Sequence, residues 1–143
     1  MNSVPETKIV REIKITEATV SIREDGIVHV YYHDNTFLDI KLQLKMADIY
    51  NEITNNKKSL FIFEAGDNVI VTKEARDNAV KMEDSTPVLA SAVVASNLAY
   101  RMIANFYIKV NKPKGKYKVV DNTEEGVKWL KGLGLGLLAY FMN

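Results

Sequence analysis

Two stretches constrain this chain more than any others: the unbroken apolar run Leu60-Phe61-Ile62-Phe63, and the segment Val88 to Ser96 with Val93 and Val94 at its centre. The first is too short for a helix. Strands of this composition are buried on both faces, the position a parallel sheet gives its central strands. Pro87 restarts the chain in extended form ahead of the second. What separates them is helical in period, so the two strands must be joined by a crossover, and the fold class is α/β.

The rest of the chain fits that frame. Residues Ile9 to Ile15 alternate loosely, and Ala18 to Arg23 leads into Glu24-Asp25-Gly26, where Asp-Gly supplies the positive φ values of a tight hairpin. The return strand runs from Ile27 to His33, with Val28, Val30 and Tyr32 on one face and His29, Tyr31 and His33 on the other. Asp34-Asn35 makes a second turn before a short extended piece at Thr36 to Leu38. Asp39 caps a helix whose stripe is Leu42, Met46, Ile49, Tyr50 and Ile53, ending near Asn55-Asn56. After Gly66, Thr72 can cap a helix running to about Glu83 whose inner face is small: Ala75, Ala79 and Met82. Asn97 opens a third helix with Ala99, Met102, Ile103, Phe106 and Val110 along one side, and Asn111 with Pro113 stops it. Tyr117 to Val120 is a last strand. Asn122 and Glu125 have capping-box spacing for a final helix carrying Val127 and Leu130, ended by Gly132 and Gly134. The expectation is one domain over residues 1–143, a single largely parallel sheet with helices packed on it. Residues 1–17 form an extension or strand, and 134–143 an apolar tail.

Composition narrows the function classes. At 143 residues with 47% hydrophobic and 26% charged residues, the chain can bury a full core without metals or staples. It has no cysteine, which excludes disulfides, thiolate zinc sites and cysteine nucleophiles and fits a reducing compartment. The start, Met1 to Lys8, has no apolar leader pattern, and the apolar run from Leu133 to Met142 is about half a membrane span, so a cytoplasmic location without a transmembrane segment is expected. A net charge of +1 provides no field that would gather nucleic acid.

With the element order in view, three groups of residues resemble a known family: Ser21 to Val30, Thr72-Lys73-Glu74-Ala75-Arg76, and Ala104-Asn105-Phe106-Tyr107-Ile108-Lys109-Val110-Asn111-Lys112-Pro113 followed by Glu124 to Leu130. Together they resemble the small bacterial domains described as STAS/SEC14-like or SpoIIAA-like, over roughly Ala18 to Leu133. The resemblance implies an N-terminal β-hairpin followed by alternating α and β in a mixed sheet. It also implies a non-enzymatic module that acts by binding protein partners, or, from its SEC14 side, a carrier of a small apolar or lipid-like ligand. STAS domains proper are switched by phosphorylation of a Ser or Thr at the start of the helix after the third strand. The matching residue is Thr72, flanked by Val71 and Lys73 where the family has Asp-Ser, so Thr72 stands as helix N-cap or phosphosite.

Other chemistry is sparse. His29 and His33 share a strand face, but four residues of strand separate them by roughly 13 Å, too far to share an ion, and no metal site or cofactor is expected. No serine sits in a Gly-x-Ser-x-Gly elbow, and Gly132-Leu133-Gly134-Leu135-Gly136 follows a helix where a phosphate loop would precede one, so no catalytic residue is assigned. Lys112, Lys114, Lys116 and Lys118 alternate through a turn and form either an anion patch or the charged guard of an edge strand. On the third helix Tyr100, Ala104, Tyr107 and Ile108 continue apolar surface beyond the expected core stripe. With Leu137, Leu138, Tyr140 and Phe141 of the tail they are the candidate interface of a homo-oligomer.

Overall fold

In the computed structural model, which describes residues 7–134, the Asp25-Gly26 turn forms as its composition dictates. Gly26 takes φ +85°, its amide donates to the Arg23 carbonyl at 2.8 Å, and the strands on either side pair antiparallel. Those strands are β2 (Ala18–Arg23) and β3 (Val28–Tyr32), and the N-terminal stretch is a strand as well, β1 (Ile9–Lys14), antiparallel to β2. The remaining elements are β4 (Phe37–Leu38), α1 (Ile40–Thr54), β5 (Ser59–Ala65), β6 (Ile70–Val71), α2 (Lys73–Met82), β7 (Val88–Val94), α3 (Leu98–Phe106), β8 (Lys116–Val120) and α4 (Thr123–Gly132).

Six strands form one sheet in the order β1-β2-β3-β5-β7-β8, parallel from β3 onward. The two apolar runs therefore lie side by side in its interior, and each supplies a different core with alternate residues. Phe61 packs with Val28, Val30, Met46 and Tyr50 beneath the helices of one face, while Ile62, Ala90, Ala92 and Val94 meet Leu130 of α4 on the other. At α4 the approach is close: a Cβ added at Gly126 would stand 3.3 Å from the Ala92 Cβ.

The single sheet expected from the sequence is corrected by a second one. β4 and β6 leave the main sheet and pair parallel with each other, Phe37 opposite Ile70 and Leu38 opposite Val71. Two-residue strands are too short for any period to show. Their register has a structural effect, since the next residue of each is a helix cap. Asp39 accepts the Leu42 amide at 2.9 Å and Thr72 accepts the Ala75 amide at 3.0 Å, so α1 and α2 begin next to each other. Asn97 and Asn122 cap α3 and α4 in the same manner.

α3 is rotated relative to the sequence expectation. Ala104 is buried at 4% exposure, whereas Leu98, Met102, Phe106 and Val110 are 73%, 63%, 50% and 55% exposed. Two physical facts explain the inversion. The helix turns its small residue Ala104 inward, which leaves Met102 and Phe106 outside, and after Phe106 it widens into a π turn, Tyr107–Asn111, where the 3.6-residue period that placed Val110 in the expected stripe no longer holds.

The loop after β5 leans on the turn after β3. Asp34 Oδ1 accepts the Asp67 amide at 2.8 Å, and a Cβ at Gly66 would overlap that carboxylate and stand 3.1 Å from the Tyr31 hydroxyl. Gly66→Ala is expected to cost about 1–3 kcal/mol in urea unfolding. A change under about 0.5 kcal/mol would mean the two turns are not in close contact.

Candidate functional site

α2 does not rest on the sheet. Its inward residues Ala75 and Ala79 are too short to reach the strands, and side-chain bridges hold the helix in place instead. The Gln43 amide of α1 donates to the Ala75 carbonyl at 2.7 Å and accepts from Asn78 at 2.9 Å. On the other flank Asn111, at the end of the π turn, donates to Asp77 at 2.8 Å. The space left beneath α2 is a partly open cavity of about 480 Å³.

Phe63, Ser91, Val93 and Tyr117 from β5, β7 and β8 floor it, Met46 and Tyr50 form one wall, and Tyr100, Ile103 and Tyr107 form the other. Of the seven tyrosines in the chain, five line this space: Tyr32, Tyr50, Tyr100, Tyr107 and Tyr117. The Tyr32 and Tyr50 hydroxyls bond each other at 3.0 Å, Tyr50 meets Phe61 edge-on at 5.1 Å, and Tyr107 tilts against Tyr117 at 5.4 Å. Burial pushes the Tyr32 and Tyr107 phenols up to about 12 and those of Tyr50, Tyr100 and Tyr117 well above the usual tyrosine value. All five are neutral at physiological pH, so the phenols offer hydrogen-bond donors without negative charge. The charged residues of the lining are Lys58, Arg76, Glu83, Asp84, Lys114 and Lys116.

The candidate residues read from the sequence distribute as follows. Thr72 is half-buried and its hydroxyl serves as the α2 cap. Tyr100 and Tyr107 face the cavity and Ala104 lies beneath the helix, so these three are not an outer surface, and Ile108 is half-buried in the π turn. Leu137, Leu138, Tyr140 and Phe141 lie outside the described residues. Lys112, Lys114, Lys116 and Lys118 are all exposed, but they do not form one row: Lys116 and Lys118 stand on the edge strand β8, while Lys114 and Lys116 reach the cavity mouth. His29 is bonded to Glu64 at 2.9 Å. His33 bridges the Thr16 carbonyl and the Thr19 hydroxyl, both at 2.8 Å, which makes Nδ1 the donor. Among the described residues no group of three His, Cys, Asp or Glu side chains is placed to hold a metal ion, and no helix is long and apolar enough to cross a membrane. Sequence reasoning missed the tyrosine set and Arg76. The signal available was the alanine face of α2, which is too small to fill the space above two buried strands.

Comparison with known proteins agrees with this architecture. Residues 20–133 match the family described as a domain of unknown function, DUF7793. No curated protein matches the chain. A solved structure of an uncharacterized protein from the DUF3478 family of Shewanella loihica PV-4, described as having a SpoIIAA-like fold, superposes with a TM-score of 0.51. That match covers 91% of this chain and 99% of the other at 7% identity. The mixed sheet with its N-terminal hairpin is thus a STAS/SpoIIAA-like fold, and at that identity the likeness concerns the fold alone.

The raised phenols imply a pH dependence of definite sign. Unfolded tyrosines ionise near pH 10, while the buried ones keep their protons to about 12 in the case of Tyr32. Above pH 10 the unfolded chain therefore binds fewer protons than the folded one, and stability falls as pH rises, by up to about 1.4 kcal/mol per pH unit for each such tyrosine. Urea unfolding between pH 9 and 11 is expected to show this decline, shallower in the Tyr32→Phe/Tyr50→Phe variant. A profile that is level above pH 10 would contradict the burial of the phenols.

Proposed function

The chain belongs to the DUF7793 family, and we propose that it is a non-enzymatic binding module whose cavity takes up a small, largely apolar ligand. The observation that carries this reading is the space under α2. Its volume of about 480 Å³ falls within the roughly 300–1,000 Å³ usual for small-molecule sites, and its lining is apolar with a few converging donors. Neutral phenols orient a ligand through hydrogen bonds but are poor bases and nucleophiles near pH 7, which supports binding without turnover. The lack of cysteine supports a reducing, cytoplasmic setting.

A second reading rests on α3. Leu98, Met102 and Phe106 recur every four residues as an exposed apolar stripe on one side of α3, and Val110 is exposed in the π turn that follows. Laid antiparallel on its own copy, such a surface buries the same four side chains from both partners, the self-complementary arrangement of a two-fold homodimer. This supports the protein-binding, homo-oligomeric role implied by the STAS resemblance, with a second copy as the partner.

Each reading has its own measurement. Calorimetric titration with 1-decanol or 2-naphthalenemethanol is expected to show saturable one-to-one uptake. Ala79→Phe, which places a ring in the cavity, is expected to abolish uptake while the thermal transition stays in place. Equal uptake by that variant would locate binding elsewhere. Sedimentation of the wild type is expected to show a concentration-dependent dimer and of Met102→Glu a monomer. A wild type that stays monomeric across the concentration range removes the homodimer.

A further inference from the structure

Arg76 is a cavity residue whose bonding is incomplete. It stands four residues after Thr72, on the side of α2 that faces α3, and lines the space below. A guanidinium has five N–H donors in a planar fork. Here Nη1 donates to the Val71 carbonyl at 2.8 Å, the cationic carbon lies 5.4 Å from the centre of the Phe106 ring, and Nε is buried without a hydrogen-bond partner. Among the described residues Arg76 takes part in none of the ion pairs.

Two of the neighbouring charges are otherwise engaged. Glu83, the nearest acid on the cavity lining in sequence, accepts from the backbone amides of Lys114 and Gly115 at 3.0 to 3.1 Å, and Lys58 donates to the Thr86 carbonyl at 2.7 Å. Deeper in, the Tyr100 and Tyr117 hydroxyls have no hydrogen-bond partner among the described residues, whereas those of Tyr32 and Tyr50 satisfy each other. The cavity therefore combines an apolar body, unpaired neutral donors and a half-buried guanidinium that takes part in no ion pair. Buried charged donors are ordinarily paired.

We propose that the ligand of this cavity is an apolar carboxylic acid, its carboxylate held by Arg76 between α2 and α3 and its hydrocarbon part lying over β5 and β7. The inference rests on the cavity reading above and adds the chemistry of the ligand's polar end. A carboxylate has two acceptor oxygens, which match the planar N–H fork of a guanidinium. An alcohol or amide of the same shape would leave the charge uncompensated. An alkyl and an aryl acid share this chemistry, so both are tested.

Two pairs of probes, decanoate with 1-decanol and 2-naphthoate with 2-naphthalenemethanol, are titrated calorimetrically into the full chain at pH 7.5. In at least one pair the acid is expected to bind about ten-fold or more tightly than the alcohol, and the pair that responds identifies an extended or a flat hydrocarbon part. Arg76→Gln removes the charge and keeps a polar side chain, so it is expected to erase the preference for acid by lowering acid affinity about ten-fold or more relative to alcohol affinity. A merely structural arginine would instead lower both affinities together. Parity between acid and alcohol in both pairs for the wild type, which needs no variant to read, overturns the carboxylate assignment and leaves the cavity reading intact. So does an acid preference that survives in Arg76→Gln. Failure of every probe to bind overturns both.

Discussion

A single carboxamide, that of Gln43, links α1 to α2, and the character of the molecule follows from the polar nature of that link. By donating to the Ala75 carbonyl and accepting from Asn78, it fixes the distance between the two helices. Asn111 and Asp77 do the same on the α3 side. A helix held by hydrogen bonds at its flanks does not have to sink onto the sheet to be stable. Its small inner residues then leave space where larger ones would have built a core.

The sheet below is suited to this arrangement. β5 and β7 are apolar on both faces, so the main core is completed by α1 on one side and α4 on the other without any contribution from α2. The separate β4–β6 pair then sets the direction of α2, since its register places the Asp39 and Thr72 caps side by side. Stability and ligand space are thus assigned to different parts of one layer, with the aromatic group of Tyr50, Phe61 and Phe63 at the boundary between them.

Much of this was legible in the residues. The Asp-Gly hairpin, the two buried strands and all four N-caps rest on short-range chemistry, which a sequence displays directly. The resemblance carried by Ser21 to Val30 and the later segments pointed to the STAS/SpoIIAA-like fold. What could not be read depends on distance in space. The β4–β6 pair consists of two-residue strands with no period to detect. The rotation of α3 arises from a π turn and from Ala104 taking the close contact, whereas a count of large apolar residues assigns Met102, Phe106 and Val110 to the core. The tyrosines are scattered from Tyr32 to Tyr117 and converge only once the crossovers are made, and Arg76 looked like any other cation on an amphipathic helix.

The tight seat of α4 bears on how the molecule deforms. With Gly126 pressed against Ala92, the rear of β7 is braced by backbone and methyl groups that have almost no slack. Any guest that swells the front compartment meets a stiff floor, so the displacement must be absorbed by its roof. A helix suspended on amide bridges is the compliant member of such a pair.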